Sequence, residues 1–457
     1  MNAHGTKHVG RRRFSGVRKG ATCSLAACLA TLGSVAVGAG SAAASTSATL
    51  NIFVHTEPAI DAVLQKIDSA FEKQNPGVTV SLQTVPSNDL EADQATRLAA
   101  KEIDLTEGPF LGIDAEPNPA YVTGPESSFV TGVKAGDWVD LSGQPFLKNF
   151  EPGVLDNLKT DGKLYAVPSG LDYYTGVFYS KAIFAKYHLS IPRTWEQFLT
   201  VCKSLKADGV SPLLIGGKDT WPAGLVMQAV VHALYTYPQQ EAFVKGLWEG
   251  QPLLTSPKAV EVLDRIKTIY SYVTANFPGI AYAEVPSLFA DGQAAMMPDG
   301  TWDQPIIQAA NPKFQFGYFP LPAGDTAASN AYLGGKLDIS YSIPANSKNI
   351  PLAEKWLALY SSPKWYQQYI KASGFIPVEP NTQSTSFVNS LKPYEQPGGF
   401  SLAWDEVFFG NTRSGTLSSN PFDYEGVAPM GTYTNMAQLA TAEQGNWNSA
   451  LKEVSKK

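Results

Sequence analysis

Hydrophobic positions change their spacing twice between residues 50 and 82. Leu50-Asn51-Ile52-Phe53-Val54 is a short run of β-forming residues, typical of a buried strand. Apolar residues then recur at helical spacing over residues 60–71, and Asn75-Pro76-Gly77 predicts the end of that helix. The alternation over residues 78–82 predicts a second strand. Strand, helix and strand in this order predict a βαβ unit, and therefore an α/β fold with a largely parallel sheet.

A second set of elements begins near Lys163. Residues 164–168 are strand-like, Pro168-Ser169-Gly170 predicts a break, and residues 176–179 predict another strand. Helical periodicity is found over residues 181–187, from Trp195 onward with Thr194 as N-cap, and over residues 224–235, 260–270 and 352–360. The run over residues 224–235 is too short to span a membrane, so it predicts a core helix.

The composition excludes several classes of protein. The chain has 457 residues with nine Trp, 20 Tyr and 22 Phe, enough large side chains for extensive cores, so it is not mainly disordered. Lys and Arg number 35 against 41 Asp and Glu, a net charge of −6, which leaves no basic surplus for nucleic-acid phosphates. Residues 1–44 hold six of the cations and no acid, so the remainder carries 29 against 41, or −12. The first 44 residues are therefore a separate functional segment.

Those 44 residues have the composition of an export signal. Arg11-Arg12-Arg13-Phe14 is a basic start, an uncharged Ala-rich stretch follows over residues 21–40, and Ala42-Ala43-Ala44 offers small residues for cleavage. The stretch has few Leu, which favours a removable signal over a permanent anchor. The arginines resemble a twin-arginine signal, and Leu25-Ala26-Ala27-Cys28 resembles a lipobox that would lipidate Cys28. The export route and the lipidation stay open as alternatives.

Cleavage of that signal would leave one cysteine, Cys202, in the exported chain. One cysteine cannot form an internal disulfide, so stability must come from core burial. Residues 195–202 have an amphipathic helical pattern, which predicts a buried structural thiol rather than a nucleophile.

Four segments in a fixed order carry recognisable motifs. They are residues 50–55 with Phe71-Glu72-Lys73-Gln74-Asn75-Pro76-Gly77-Val78; Gly162-Lys163-Leu164-Tyr165-Ala166-Val167-Pro168 with residues 176–181 and Pro192-Arg193-Thr194-Trp195; residues 289–297 with Gly300-Thr301-Trp302; and Gly334-Gly335 with residues 343–348, 353–360 and 374–378. Together they resemble the sugar-binding family of extracellular solute-binding proteins, the maltose-binding-protein-like receptors of ABC importers. Residues 101–118 depart most from the family pattern, and Asp104 is a candidate site residue within them.

The resemblance implies an α/β, two-lobe periplasmic-binding-protein fold with hinge crossovers and a ligand cleft between the lobes. The implied N-terminal lobe comprises residues 45–165 and 318–362, and the C-terminal lobe residues 166–317 and 363–457. The crossovers fall near residues 166–175 and 316–321. Closure of such lobes is a hinge motion that buries the ligand from water.

A sugar presents hydroxyl groups around its rim and apolar C–H faces, so its receptor needs aromatic rings for the faces and carboxylates for the rim. Trp302 lies where family members often stack a ring; its alternative is a core role. Asp172, Tyr173 and Tyr174 follow the first crossover and are expected to face the cleft, with packing between lobes as the alternative. Trp221 either contacts the ligand or anchors the helix that follows it.

Other candidates come from strand ends and loops. His55 and Glu57 end the first strand, where α/β sheets usually bind ligands, although a solvated loop is the alternative. Gly334 and Gly335 either let backbone amides approach the ligand or form a plain turn. Trp404 is a candidate for a further ring against the sugar, with a packing role as its alternative.

These features predict an exported receptor, periplasmic or extracellular, that captures a neutral mono- or oligosaccharide and delivers it to the permease of an ABC importer. Neither a cofactor nor a metal is expected, and no catalysis. A secreted carbohydrate-active enzyme is the rival class, but no G-x-S-x-G, H-E-x-x-H or phosphate-loop motif occurs. Within the same fold, the adjacent Tyr173-Tyr174 could hold ferric iron, and an acidic cleft could hold a polyamine.

Overall fold

The computed structural model describes residues 47–109, 111–397, 399–408, 422, 433 and 435–454. The predicted export signal, with its twin-arginine and lipobox alternatives, lies outside the described residues. The strands are β1 (Ala48–His55), β2 (Val78–Val85), β3 (Leu105–Glu107), β4 (Lys159–Thr160), β5 (Lys163–Leu164), β6 (Val167–Tyr173), β7 (Gly176–Ser180), β8 (Met296–Pro298), β9 (Phe316–Pro320) and β10 (Gly335–Ser342). The helices are α1 (Pro58–Gln74), α2 (Ser87–Ala100), α3 (Ser128–Ala135), α4 (Pro152–Asp156), α5 (Lys181–Lys186), α6 (Trp195–Ala207), α7 (Gly224–Leu234), α8 (Tyr237–Trp248), α9 (Pro257–Tyr270), α10 (Val285–Ala290), α11 (Gln304–Ala310), α12 (Ile350–Tyr360), α13 (Pro363–Ser373), α14 (Ser386–Leu391) and α15 (Met436–Val454), with short 3-10 helices between them.

The first sheet has five strands in the order β2-β1-β3-β10-β6. Strand β1 pairs in parallel with β2 and β3, which confirms the predicted βαβ unit. Strand β10 runs antiparallel to both β3 and β6. The apolar face of α1 packs against this sheet through Ile60, Leu64 and Phe71, all buried.

The second sheet has three antiparallel strands in the order β8-β7-β9. The prediction of a largely parallel sheet is therefore wrong outside the β2-β1-β3 group. The βαβ pattern reports only how consecutive strands are linked by a helix. Strands β8, β9 and β10 return to their sheets from distant parts of the chain, and their direction follows from that return.

Strand β6 continues through Pro168-Ser169-Gly170, where the sequence predicts a break. The strand lies at the edge of the five-stranded sheet, and a proline that lacks an N–H group is tolerated at an edge. The Gly170 Cα approaches Phe375 so closely that a Cβ would lie 2.7 Å from the Cβ of that side chain. The break prediction is wrong because edge position and close packing outweigh local propensity here.

The two sheets are joined directly, since only Tyr174 and Thr175 separate β6 from β7, within the predicted first crossover. Strand β9 belongs to the second sheet and β10 to the first, so the chain returns over residues 321–334 rather than 316–321. Helix α13 packs against α1, and Phe375 and Val378 belong to the core of the first sheet. This packing moves the predicted lobe boundary at residues 362/363 toward the C-terminus.

Most predicted helices are confirmed at their expected positions. Helix α6 begins after Thr194, whose hydroxyl accepts a hydrogen bond from the Gln197 N–H at 3.3 Å. Cys202 on α6 is a buried free thiol, and burial raises its pKa to about 12, as expected of a structural cysteine. Within the part of the chain that the structure describes, each helix is too short or too polar to cross a membrane.

Candidate binding site

Four aromatic rings meet where the two sheets join, and we call them the ring cluster: Tyr174, Trp221, Tyr282 and Trp302. The Trp302 ring centre lies 6.0 Å from that of Tyr174 and 6.4 Å from that of Trp221. Trp221 and Tyr282 make an edge-to-face contact at 4.4 Å. The Trp302 indole N–H donates to the Tyr282 hydroxyl. Trp221, Tyr282 and Trp302 are half-buried, whereas Tyr174 is buried.

A buried group of charges, the lysine cluster, lies beside these rings: Asp172, Lys336, Asp338 and Glu406. Lys336 and Asp338 are alternate residues of β10, and Asp172 lies opposite Lys336 on β6. The Lys336 ammonium lies 2.8 Å from a carboxylate oxygen of Asp338 and 5.3 Å from the centre of the Trp302 ring. The buried Lys336 ammonium therefore lies close to the Asp338 carboxylate and the Trp302 ring, on the strand opposite Asp172.

The pKa values in the lysine cluster follow from burial and from these neighbours. Burial lowers the pKa of Lys336, but Asp338 and Asp172 outweigh it and raise the pKa above its usual value. Lys336 conversely keeps the pKa of Asp338 below the ordinary range against the effect of burial. Burial and the nearby Asp338 raise the pKa of Asp172 well above normal, and burial raises that of Glu406 to about 8. These shifts favour the charged form of Asp338 and the protonated form of Asp172.

Two further carboxyl groups, which we call the acid pair, flank Trp302 in the chain: Asp299 and Asp303. Both are buried. Asp299 accepts hydrogen bonds from the Gly300 N–H at 2.8 Å and from the Tyr282 hydroxyl at 3.2 Å. Burial raises the pKa of Asp299 to about 7 and, with the charges of Asp299 and Glu57, raises that of Asp303 well above its usual value.

The end of β1 brings His55 and Glu57 to the same junction. The Nδ1 atom of His55 lies 2.8 Å from the carboxylate of Glu107, which ends β3 and also accepts the His55 backbone N–H at 3.0 Å. Burial lowers the pKa of His55, but the Glu107 charge and hydrogen bond raise it to about 9. Burial raises the pKa of Glu57 to about 7. A charged imidazolium and a titrating carboxyl thus face the site from the first sheet.

Tyr173 and Trp404 do not join the ring cluster. Tyr173 stacks on Phe400 at 5.0 Å and lies in the core of the second lobe, on the opposite side of the chain from Tyr174. This separation opposes the ferric-iron alternative, which needs both phenolates at one metal. Trp404 is 1% exposed and packs among Phe243, Phe408 and other core rings, which favours its packing alternative over contact with a ligand.

Gly334 and Gly335 use their amides within the protein. The Gly334 N–H donates to the Thr175 hydroxyl at 2.7 Å, and the Gly335 N–H donates to the Ser401 carbonyl at 2.9 Å. Both amides are therefore engaged within the protein, which disfavours a role as donors to a ligand. A Cβ at Gly335 would lie 1.6 Å from the Asp172 carbonyl oxygen, so glycine is required because β10 and β6 approach closely.

Asp104 is a structural residue rather than a ligand contact. Its carboxylate accepts hydrogen bonds from the Asn51 N–H at 2.8 Å, the Ser347 hydroxyl at 2.6 Å and the Asn349 amide at 3.1 Å. These bonds tie β1 to the segment that leads into α12, away from the ring cluster.

Several site residues were missed by the sequence analysis: Glu107, Tyr282, Asp299, Asp303, Lys336, Asp338 and Glu406. Lys336 and Asp338 alternate with Leu337 and Ile339 in a strand that is buried on both faces, and charges in such a strand signal an internal ion pair. Asp299 and Asp303 stand on either side of the Trp302 motif. Tyr282 lies in a short 3-10 helix without a recognisable motif.

Glu406 also links the two lobes. Its carboxylate accepts a hydrogen bond from the Ile113 N–H at 3.1 Å, in the 3-10 helix Gly112–Ala115 that follows β3. Glu406 follows Trp404 of the second-lobe core, so this bond spans the junction.

A solvent-open groove of about 660 Å³ lies elsewhere, on the second lobe beside α10, and Ile280, Glu284 and Leu288 are among its lining residues. No group of three or more His, Cys, Asp or Glu suited to a metal ion occurs among the described residues.

Comparisons with known proteins agree with this architecture. The model of the family described as bacterial extracellular solute-binding protein matches residues 55–367. A multiple sugar-binding protein of Streptococcus mutans is 26% identical over 320 residues, which cover 69% of this chain and 71% of that protein. Among solved structures, the solute-binding protein RafE in complex with raffinose has a TM-score of 0.71 at 23% identity and covers 88% of this chain and 99% of that one. A chitin oligosaccharide binding protein has a TM-score of 0.70 at 19% identity, covering 88% and 99%. The predicted two-lobe α/β fold is confirmed.

Proposed function

The chain belongs to the bacterial extracellular solute-binding proteins, and from that premise we propose that it captures a mono- or oligosaccharide and delivers it to the permease of an ABC importer. The Streptococcus mutans relative is described as a multiple sugar-binding protein, and the solved neighbours bind raffinose and chitin oligosaccharide. These descriptions support a saccharide ligand. The chain acts as a receptor and not as an enzyme.

One observation carries the choice of ligand: half-buried rings stand beside buried carboxyl groups at the junction of the two lobes. Trp221, Tyr282 and Trp302 offer flat apolar surfaces for the C–H faces of a pyranose. Carboxyl groups accept hydrogen bonds from hydroxyl groups strongly when ionised. This combination suits a sugar better than an apolar ligand, which would leave the carboxyl groups without partners.

We assign ligand contact to Trp221, Tyr282 and Trp302 from the ring cluster. Tyr174 and Asp172 are buried behind that surface. Tyr174 lies beside Trp302, and Asp172 lies opposite Lys336. Glu57 and His55 approach from the first lobe. The ligand then bridges both lobes and stabilises their closed arrangement, because it contacts each of them only when they are together.

One of the connections between the lobes is short enough to act as a hinge. Only Tyr174 and Thr175 separate β6 from β7. The bond between the Glu406 carboxylate and the Ile113 N–H joins the lobes directly. In the proposed cycle, the receptor closes around its sugar, docks on the permease, and releases the sugar as the lobes separate. The residues ahead of position 45 would direct export, and the receptor would work in the periplasm or outside the cell.

Isothermal titration against a panel of mono- and oligosaccharides tests the function. We expect at least one saccharide to bind, with a change in tryptophan emission because Trp221 and Trp302 lie at the site. Absence of binding by every saccharide, together with tight binding of ferric iron or a polyamine, would reject the saccharide assignment.

A further inference from the structure

Two pairs of buried carboxyl groups lie near Trp302, and they differ in one respect. In the first pair, the Lys336 ammonium lies 2.8 Å from Asp338, and Asp172 lies opposite Lys336 on the neighbouring strand. In the second pair, Asp299 and Asp303 are close enough for the charge of Asp299 to raise the pKa of Asp303. The charges that shift the pKa of Asp303 most are those of two other carboxyl groups, Asp299 and Glu57, and no cation is among them.

The hydrogen bonds around the acid pair end before Asp303. The Trp302 N–H donates to the Tyr282 hydroxyl, which donates in turn to Asp299 at 3.2 Å. That hydroxyl lies near Asp303 as well, but its one proton is used on Asp299. Asp303 is fully buried, and neither of its carboxyl oxygens accepts a hydrogen bond from an N–H or hydroxyl group in the part of the chain that the structure describes.

Two buried, neighbouring carboxylates cost free energy unless a cation or a proton neutralises one of them. Burial disfavours a carboxylate, and a second carboxylate beside it adds repulsion. Burial raises the pKa of both members of the pair, and the charge of Glu57, just after β1, raises that of Asp303 further. Protonation of either carboxyl group would relieve part of this repulsion in the free protein.

We propose that Asp299, Asp303 and Glu57 form a subsite for a protonated amine, and that the saccharide taken up by this receptor carries a basic amino group. The inference rests on the proposed function and adds the charge of the ligand to it, in place of the wholly neutral sugar expected from the net charge. The amine would lie beside Asp299 and Asp303, in the way that the Lys336 ammonium lies beside Asp338 and opposite Asp172. Its three N–H donors would meet the two unpaired oxygens of Asp303.

The rings beside the subsite favour the same chemistry. Tyr282, a member of the ring cluster, also donates a hydrogen bond to Asp299 of the acid pair. A cation near the face of an aromatic ring is attracted by it. The lysine cluster already shows one ammonium placed in this way, 5.3 Å from the Trp302 ring. A pyranose ring that packs on Trp221 or Trp302 would therefore carry its amino substituent toward Asp303.

The test compares two ligands that differ in charge and little else. The β-1,4-linked trimer of glucosamine, whose amines are protonated at pH 6, is titrated beside the N-acetylated trimer of the same length and linkage. Raffinose represents neutral saccharides and spermidine represents polyamines. Asp303→Asn removes the proposed contact, and Asp291→Asn, an exposed aspartate in the turn after α10, is the matched control.

We expect the glucosamine trimer to bind at least tenfold more tightly than the N-acetylated trimer. Asp303→Asn should abolish most of that preference, whereas Asp291→Asn should keep it. If Asp303→Asn does not fold, the affinity ratio of the unaltered protein decides alone. An N-acetylated trimer that binds as tightly as the amine form, or a preference that survives Asp303→Asn, would overturn the subsite.

The remaining outcomes separate the subsite from the proposed function. Binding of raffinose without binding of the glucosamine trimer would overturn the amine subsite and keep the saccharide receptor. Binding of spermidine without any saccharide would support the amine subsite and reject the saccharide receptor. Absence of binding by all four ligands would count against both.

Discussion

The ammonium group of Lys336 lies 5.3 Å from the centre of the Trp302 ring and is held there by a 2.8 Å contact with Asp338. A positive charge therefore lies beside one of the rings that we propose to bind the ligand. The contact also crosses the junction, because Lys336 belongs to the first lobe and Trp302 to the second. The consequences for binding, stability and pH dependence can each be measured.

Replacement of Trp302 by alanine should weaken binding of the sugar by about 1–3 kcal/mol, the contribution of a buried aromatic contact. Trp302→Phe should retain most of the affinity, because it keeps an aromatic ring, although a smaller one, and loses the N–H bond to Tyr282. Titration calorimetry with the best saccharide of the panel measures both. Trp365→Ala, on α13 outside the site, is the control and should leave the affinity unchanged. An equal effect of the Trp302 and Trp365 replacements would remove Trp302 from the site.

Replacement of Lys336 by methionine should lower the free energy of unfolding by about 3–5 kcal/mol at pH 7, since a buried carboxylate loses its partner. The sign of the pH dependence follows from Asp338. Lys336 lowers the folded-state pKa of Asp338, so the stabilisation is present above the unfolded pKa and lost as pH falls through the folded one. Urea unfolding should therefore show a difference that shrinks below pH 4.

The double variant Lys336→Met/Asp338→Asn is the control for that prediction. It removes the stranded carboxylate and should recover part of the lost stability. A double variant no more stable than Lys336→Met would show that the ammonium acts through other contacts.

The pair formed by His55 and Glu107 should make stability depend on pH on the alkaline side. The folded-state pKa of His55 is raised to about 9 from an unfolded value near 6.5. A raised pKa stabilises the fold fully below the unfolded value, and the contribution is lost as pH rises toward 9. Relative to His55→Gln, the protein should be more stable by roughly 1–3 kcal/mol at pH 6 and lose that advantage by pH 10. Glu107→Gln should remove the same pH dependence; its persistence would contradict the pairing.

Replacement of Gly335 by alanine should prevent normal pairing of β10 with β6. The added Cβ would lie 1.6 Å from the Asp172 carbonyl oxygen, and no side-chain rotation can relieve a clash with backbone. We expect a loss of several kcal/mol, or failure to fold, measured by thermal unfolding. Gly445→Ala is the matched control, since Gly445 is exposed within α15 with open space around it and alanine favours helix by about 1 kcal/mol. Equal stability of the two variants would contradict the close approach.

The aromatic residues proposed as ligand contacts show how much of the site could be predicted from the sequence. Trp302 and Trp221 were predicted and lie together, 6.4 Å apart. Trp404 was predicted on the same chemical grounds but lies in the core. An aromatic residue in a loop has the same local sequence signature whether it faces a ligand or a hydrophobic core, so its neighbours in space decide.

The sequence by itself determined the positions of most helices and strands, because hydrophobic periodicity is a local property that each segment carries. It also determined the family, through motifs near Asn75, Pro168, Trp302 and Gly335. Only the tertiary structure decided which charges meet, as with Asp172 and Lys336 on paired strands or Asp299 and Asp303 behind Tyr282. Such contacts depend on strand register and on burial across long stretches of chain, and burial in turn determines which carboxyl groups hold a proton.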